Sequence, residues 1–110
     1  MASFFRTTVK KDIGTTPVVV LTTSAASRFT IIGCNLANIT DEVVIVDVTI
    51  TDATSVTAYY IKGLSIEPYT SAKVVTNGEK IILAESTTMT IVSDTAASID
   101  LVASYAEITG

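Results

Sequence analysis

"EVVIVDVTITD", residues 42–52, decides the fold. In an extended chain Val44, Val46, Val48 and Ile50 fall on one side, and Asp47, Thr49 and Thr51 fall on the other. A period of two is the repeat of a β-strand with one face in a core. Val43 and Ile45 make the second face apolar too, which predicts that this end of the strand is covered on both sides.

The same period recurs outward in both directions. "RFTIIGCNLAN" (28–38) aligns Ile32, Cys34 and Leu36, with Gly33 as a bulge or close-approach position. "SIDLVASYAEI" (98–108) sets Ile99, Leu101, Ala103 and Tyr105 against Asp100, Val102, Ser104 and Ala106. "TMTIVSD" (88–94) pairs Met89 with Ile91. "PVVVLTT" (17–23), "VTAYYIKG" (56–63) and "FFRTTVKKD" (4–12) add three more strands. In "KVVTNGEKIIL" (73–83), Val74–Val75 and Ile81–Leu83 flank Asn77–Gly78, a pair suited to a tight turn, so the stretch reads as a β-hairpin. Between the strands, "ITDE" (39–42), "TDATS" (51–55), "IEPYTS" (66–71) and "SDTAAS" (93–98) carry the Asp, Ser, Thr and Pro that favour turns. Eight or nine short strands with polar turns predict an all-β fold. We read one antiparallel β-sandwich domain over residues 1–110, of jelly-roll or immunoglobulin-like type, in preference to a small barrel. The expected core contains Ile32, Leu36, Val44, Val46, Val48, Ile50, Ile91, Leu101 and Ala103.

Composition narrows the function. Charged residues are 16% of the 110 and the net charge is −4. So few charges on a small domain predict a surface covered in part by other subunits, since small monomers ordinarily carry more for solubility. Seven scattered Lys and Arg cannot line a phosphate backbone, which sets nucleic acid aside. No apolar run is long enough to span a bilayer, and "MASFFRTTVKK" lacks a secretory signal's apolar core, so a soluble chain with no membrane partner is expected.

Chemistry has little to work with. The chain has no histidine, which removes His-based triads and most zinc sites. Cys34, the single cysteine, has apolar neighbours and reads as a buried structural thiol. Asp41, Glu42, Asp47 and Asp52 lack the spacing of a calcium loop, and glycines for a phosphate cradle are missing. The expectation is a non-enzyme with no cofactor and no metal.

Aromatic residues are more informative. Tyr105 lies on the apolar face of its strand and reads as core. Tyr59 and Tyr60 are adjacent in a strand, so one of them must leave the core, and Phe4 and Phe5 split the same way. Phe4, Phe5, Arg6, Tyr59 and Tyr60 are therefore the candidate subunit-interface residues. Residues 1–12, with two Phe and three cations, read as an intersubunit arm or as an ordinary edge strand.

The order of motifs "KKDIGTTPVVVLTT", "TIIGCNLANIT", "VVIVDVTITD", "AYYIKGLSIEPYTSAKVV", "NGEKIILAESTTMTIVSD" and "SIDLVASYAEI" resembles small virion structural proteins of tailed bacteriophages, of marine and cyanobacterial phage type. Its most specific elements are "YYIKG" followed by an Ile-x-Pro turn, then "GEKIIL". The resemblance implies a β-sandwich made in the bacterial host cytoplasm and located in the virion. It also implies that the chain assembles with itself and with other virion proteins such as the major capsid protein. A capsid decoration or cement role leads; a neck, collar or tail position is the alternative. A host-binding module presenting Tyr59 or Tyr60 to sugar or receptor is the third reading, disfavoured by the lack of Trp.

Overall fold

The alternating stretch forms β4 (Val44–Thr51), with Val44, Val46 and Val48 fully buried and Ile50 partly so. The computed structural model describes residues 2–76 and 79–109, and nine strands lie within them. The others are β1 (Ala2–Ile13), β2 (Val18–Thr22), β3 (Ser27–Asn38), β5 (Thr57–Ile66), β6 (Ser71–Lys73), β7 (Ile81–Leu83), β8 (Thr88–Ser93) and β9 (Ile99–Thr109). The four polar stretches read as turns fall at the connections between strands, with Thr51, Ile66, Ser71 and Ser93 at their ends belonging to the strands themselves.

Two antiparallel sheets face each other. The first runs β1-β9-β3-β6, with β7 also paired to β3; the second runs β2-β8-β4-β5. Successive strands alternate between the sheets except for the β4–β5 hairpin and the β6–β7 pair. That winding is a jelly roll, not an immunoglobulin-type sandwich. Because β6 and β7 lie end to end along β3, the nine strands fill eight ranks, four per sheet.

This end-to-end arrangement corrects the expected hairpin. β6 pairs with Asn35–Ala37 and β7 with Phe29–Ile31, so both neighbour β3 and they do not pair with each other. Asn77–Gly78, the expected turn, lies outside the described residues. Val74 and Val75 are buried but leave the strand, although the Val74 amide still donates to the Cys34 carbonyl at 2.9 Å. Between its pairings with Ile81 and with Lys73, β3 has only the three residues 32–34.

The core is the shared inner face. Leu36, Ile91, Leu101 and Ala103 are fully buried as expected, and Phe29 and Tyr105 pack ring against ring at 4.8 Å between centroids. Ile32 is not core: it is 45% exposed, while Ile31 and Cys34 are buried. The cause is a bulge, for the register of β3 on β9 shifts between Ile31 and Gly33. One extra residue breaks the period of two, so inward positions fall at 29 and 31 before it and at 34 and 36 after it. Val43 and Ile45 are also exposed rather than covered, since β4 has its partner sheet on one side only.

Gly14 closes the end of the sandwich where β1 turns into β2. A Cβ there would stand 3.0 Å from the Ala97 nitrogen and 3.1 Å from the Ala96 Cα, so the two turns meet backbone to backbone. Ser98, fully buried beside it, donates to the Ile13 and Thr95 carbonyls.

Candidate assembly interface

The expected interface residues separate into two groups on opposite sides of the molecule. β1 is one edge of the first sheet; β5 is the far edge of the second. β1 lies over β2, the opposite edge of that second sheet, so the sandwich's full width separates Phe4–Arg6 from Tyr59–Tyr60.

On β1 the side chains alternate as an extended strand requires. Phe4 pairs with Glu107 and Arg6 with Tyr105, which places Phe4 and Arg6 on the inner side where the sheet projects past its partner. Arg6 forms an ion pair with Glu107 and lies 5.1 Å over the Phe4 ring. Arg6, a candidate interface residue, thus finds its carboxylate within its own chain. Phe5 points the other way and is 86% exposed. Residues 2–12 belong to the edge strand of their own sheet, paired along β9 from Ala2 to Lys10.

Both tyrosines on β5 are outside the core, because the strand is bulged where Val48 pairs with Ile61 but Thr49 pairs with Tyr59. Lys62 sits 4.6 Å over the Tyr59 ring and 3.2 Å from Asp47. The Gly63 amide donates to Asp47 at 2.8 Å. That amide, followed by Lys62, lowers the Asp47 pKa, and the bond to Asp47 raises that of Lys62. Tyr60 donates to Glu79 at 3.3 Å; partial burial, then the Glu79 charge, push its phenol up.

The two outer faces differ in their cross-strand rungs, although the second also exposes Val19, Ile45 and Tyr59. Across the second sheet one rung reads Thr22, Thr88, Thr51, Thr57, a threonine from every strand. Its members bond in pairs, Thr22 to Thr88 at 3.0 Å and Thr51 to Thr57 at 2.7 Å. With Asp47 and Lys62, this face satisfies its own polar groups. Across the first sheet the matching rung reads Phe5, Ala106, Thr30, Ile82. Ile82 is 70% exposed, and Val9 and Val102, opposite each other, are largely exposed too. Charges here stand toward the margins at Arg28 and Asp100, and on β6 at Lys73. The sequence signal for this face was the second face of β9, where Val102 and Ala106 interrupt the polar residues.

A cleft of about 220 Å³ opens on that apolar face beside the β3 bulge, lined by Ile32, Gly33, Asn35, Lys73, Val75, Val102 and Ser104 and by the backbone at Cys34. It occupies the gap where the chain leaves β3 between β6 and β7. The Cys34 side chain points inward, and burial pushes its thiol up to about 12. Such a thiol holds its proton and is a poor nucleophile at neutral pH. Among the described residues no three acidic or thiol groups converge as a metal-binding set.

No family model and no curated protein matches the sequence. Solved structures do match by fold. A chain of the Bacillus endospore appendages, disulfide-linked pili, aligns over 97% of this chain and 88% of its own length, with a TM-score of 0.58 at 12% identity. The VP2 protein of infectious bursal disease virus, in T=1 particles, aligns over 98% of this chain with a TM-score of 0.58 at 12% identity. A chain of the same virus's full particle gives 0.56 at 12%. This chain spans about a third of those viral chains, 32% and 31%. At such identity the likeness is one of fold.

Proposed function

We propose that this chain is a non-enzymatic structural protein of a bacteriophage virion, a decoration or cement subunit on the capsid that binds the major capsid protein and copies of itself. One observation carries the reading: the outer face of the β1-β9-β3-β6/β7 sheet of this jelly roll holds Phe5, Val9, Ile82 and Val102 exposed, and among the described residues nothing covers them. Exposed apolar patches of this kind mark association surfaces. The ordered resemblance of the sequence to small phage virion proteins supports the phage assignment. The fold shared with viral particle chains agrees with it. The reactive inventory fits a role without catalysis, since the chain lacks histidine and its only thiol is buried and protonated.

Copy number tests the position. Densitometry of purified virions, with the major capsid protein as the standard, is expected to give hundreds of copies per particle. Six, twelve or a few dozen would move the protein to the neck, collar or tail. Absence from washed virions would end the structural reading.

A further inference from the structure

The outer face of the first sheet carries both a knob and a hole. Phe5 is the knob: 86% exposed, on the edge strand, without the Arg6–Glu107 contacts that occupy Phe4. The hole is the cleft of about 220 Å³ floored by Gly33. A cavity of about 150 Å³ accepts a benzene ring, so a phenyl group fits. Gly33 leaves this space open: a Cβ built there meets nothing within 4 Å. Phe5 stands opposite Ala106, whereas the cleft lies at Val102 and Ser104, two to four residues further along β9 and on its far side. Knob and hole are thus displaced from each other on one face.

A two-fold axis through such a face sends each knob into the partner's hole, because an isologous contact pairs residue i with j and j with i. We propose that the outer face of the β1-β9-β3-β6/β7 sheet docks on the same face of a second copy, with Phe5 of each subunit seated over Gly33 of the other. The area is sufficient. Four ranks about 4.8 Å apart, along 11 residues of β9 at about 3.3 Å each, make a face of roughly 700 Å². A standard interface takes about 600–1,000 Å² from each partner, a range that this face falls within. Charge permits it as well: Arg28 and Asp100 stand toward the rim, Lys73 and Asn35 line the cleft itself, where a cation is compatible with an aromatic ring, and the rest of the middle is Thr, Ser, Ala and aliphatic. This pairing does not depend on the virion assignment, for it is a property of the isolated chain.

Sedimentation velocity on the purified protein, with circular dichroism as the fold check, tests it. Wild type is expected to be a dimer at micromolar concentration. Phe5→Ala removes the knob from an exposed site, and Gly33→Leu fills the hole from within. Each is expected to weaken the dimer by on the order of 10²- to 10³-fold, two contacts of hot-spot size being lost per dimer. Mixing the two variants is the decisive step. A Phe5→Ala subunit keeps its hole and a Gly33→Leu subunit keeps its knob, so the mixture regains one of two contacts and forms heterodimers that neither variant matches alone. A wild type that stays monomeric at 100-fold higher concentration overturns the proposal. So does a dimer indifferent to Phe5→Ala, or a mixture no more associated than its components.

Discussion

Asn38 is 2% exposed and spends its whole side chain on two loops. Its amide nitrogen donates to the carbonyls of Glu42, Ile66 and Glu67 at 2.7, 2.9 and 3.2 Å. Its oxygen accepts from the Thr40 amide and hydroxyl at 2.9 and 2.8 Å. Asn38 thus ties the β3–β4 turn to the β5–β6 turn, beside the Tyr69 amide's bond to the Thr40 carbonyl at 3.2 Å. Replacing it with alanine leaves buried carbonyls without a donor, at a cost of about 1–3 kcal/mol for such a group. Asn38→Ala is therefore expected to lower the urea midpoint with the slope unchanged. Asn38→Asp should fall lower still at pH 7, since it sets a carboxylate against three carbonyls. An alanine variant that unfolds with wild type would show that water replaces the amide. Sequence alone presented Asn38 only as the last residue before a turn, because nothing local records contacts 28 and 29 residues away.

The bulge in β3 acts on the element as a whole. Ile31 and Ile32 are neighbours of identical chemistry, yet one is fully buried and the other 45% exposed. Ile31→Ala is expected to cost about 2–5 kcal/mol. Ile32→Ala should stay within about 0.5 kcal/mol, the range for exposed sites. Denaturation midpoints of the two variants check this, and a reversed order would mean that the strand runs without the bulge. Most strands were legible because alternation and turn chemistry are written locally: Val44, Val46 and Val48 announce their face. Gly33 was visible as a bulge site, but the consequence for Ile32 depends on the register with β9. The β6–β7 stretch misled for a related reason. Asn77–Gly78 suits a hairpin turn, yet both flanking strands find a better partner in β3, which has length for both. Of the interface candidates, Phe4 and Phe5 were legible as facing opposite ways, but which of them faces outward was not. Nor was the cleft that would receive Phe5, because its walls come from β3, β9 and the residues after β6.

At the scale of the molecule, stability is expected to ignore pH across the neutral range. The chain has no histidine, the side chain that ordinarily titrates between about pH 5 and 8. Asp47 has its pKa lowered by the Gly63 amide and Lys62, so its contribution is present above the unfolded value of 3.8 and is lost as pH falls through the lower folded value. Lys62 is the converse: raised from 10.5, it contributes below that value and loses the contribution as pH climbs through the folded one. Melting temperatures should be level from about pH 5 to 8 and fall below about pH 4. Asp47→Asn should soften the acid decline, and an unchanged decline would assign it to other carboxylates. The pairing of β1 with β9 has one further consequence. Ala2 stands opposite Thr109, so the two ends of the described chain meet as register partners in adjacent strands. Antiparallel neighbours need only a two-residue turn to connect them. A circular permutant that joins Thr109 to Ala2 with a short Asn-Gly linker, and opens instead within the exposed 53–55 turn, should rebuild both sheets. Its β9–β1 contact, now among the most distant along the chain, would become a local hairpin. Lower contact order speeds folding, so the permutant should refold faster than the parent while giving the same circular dichroism spectrum.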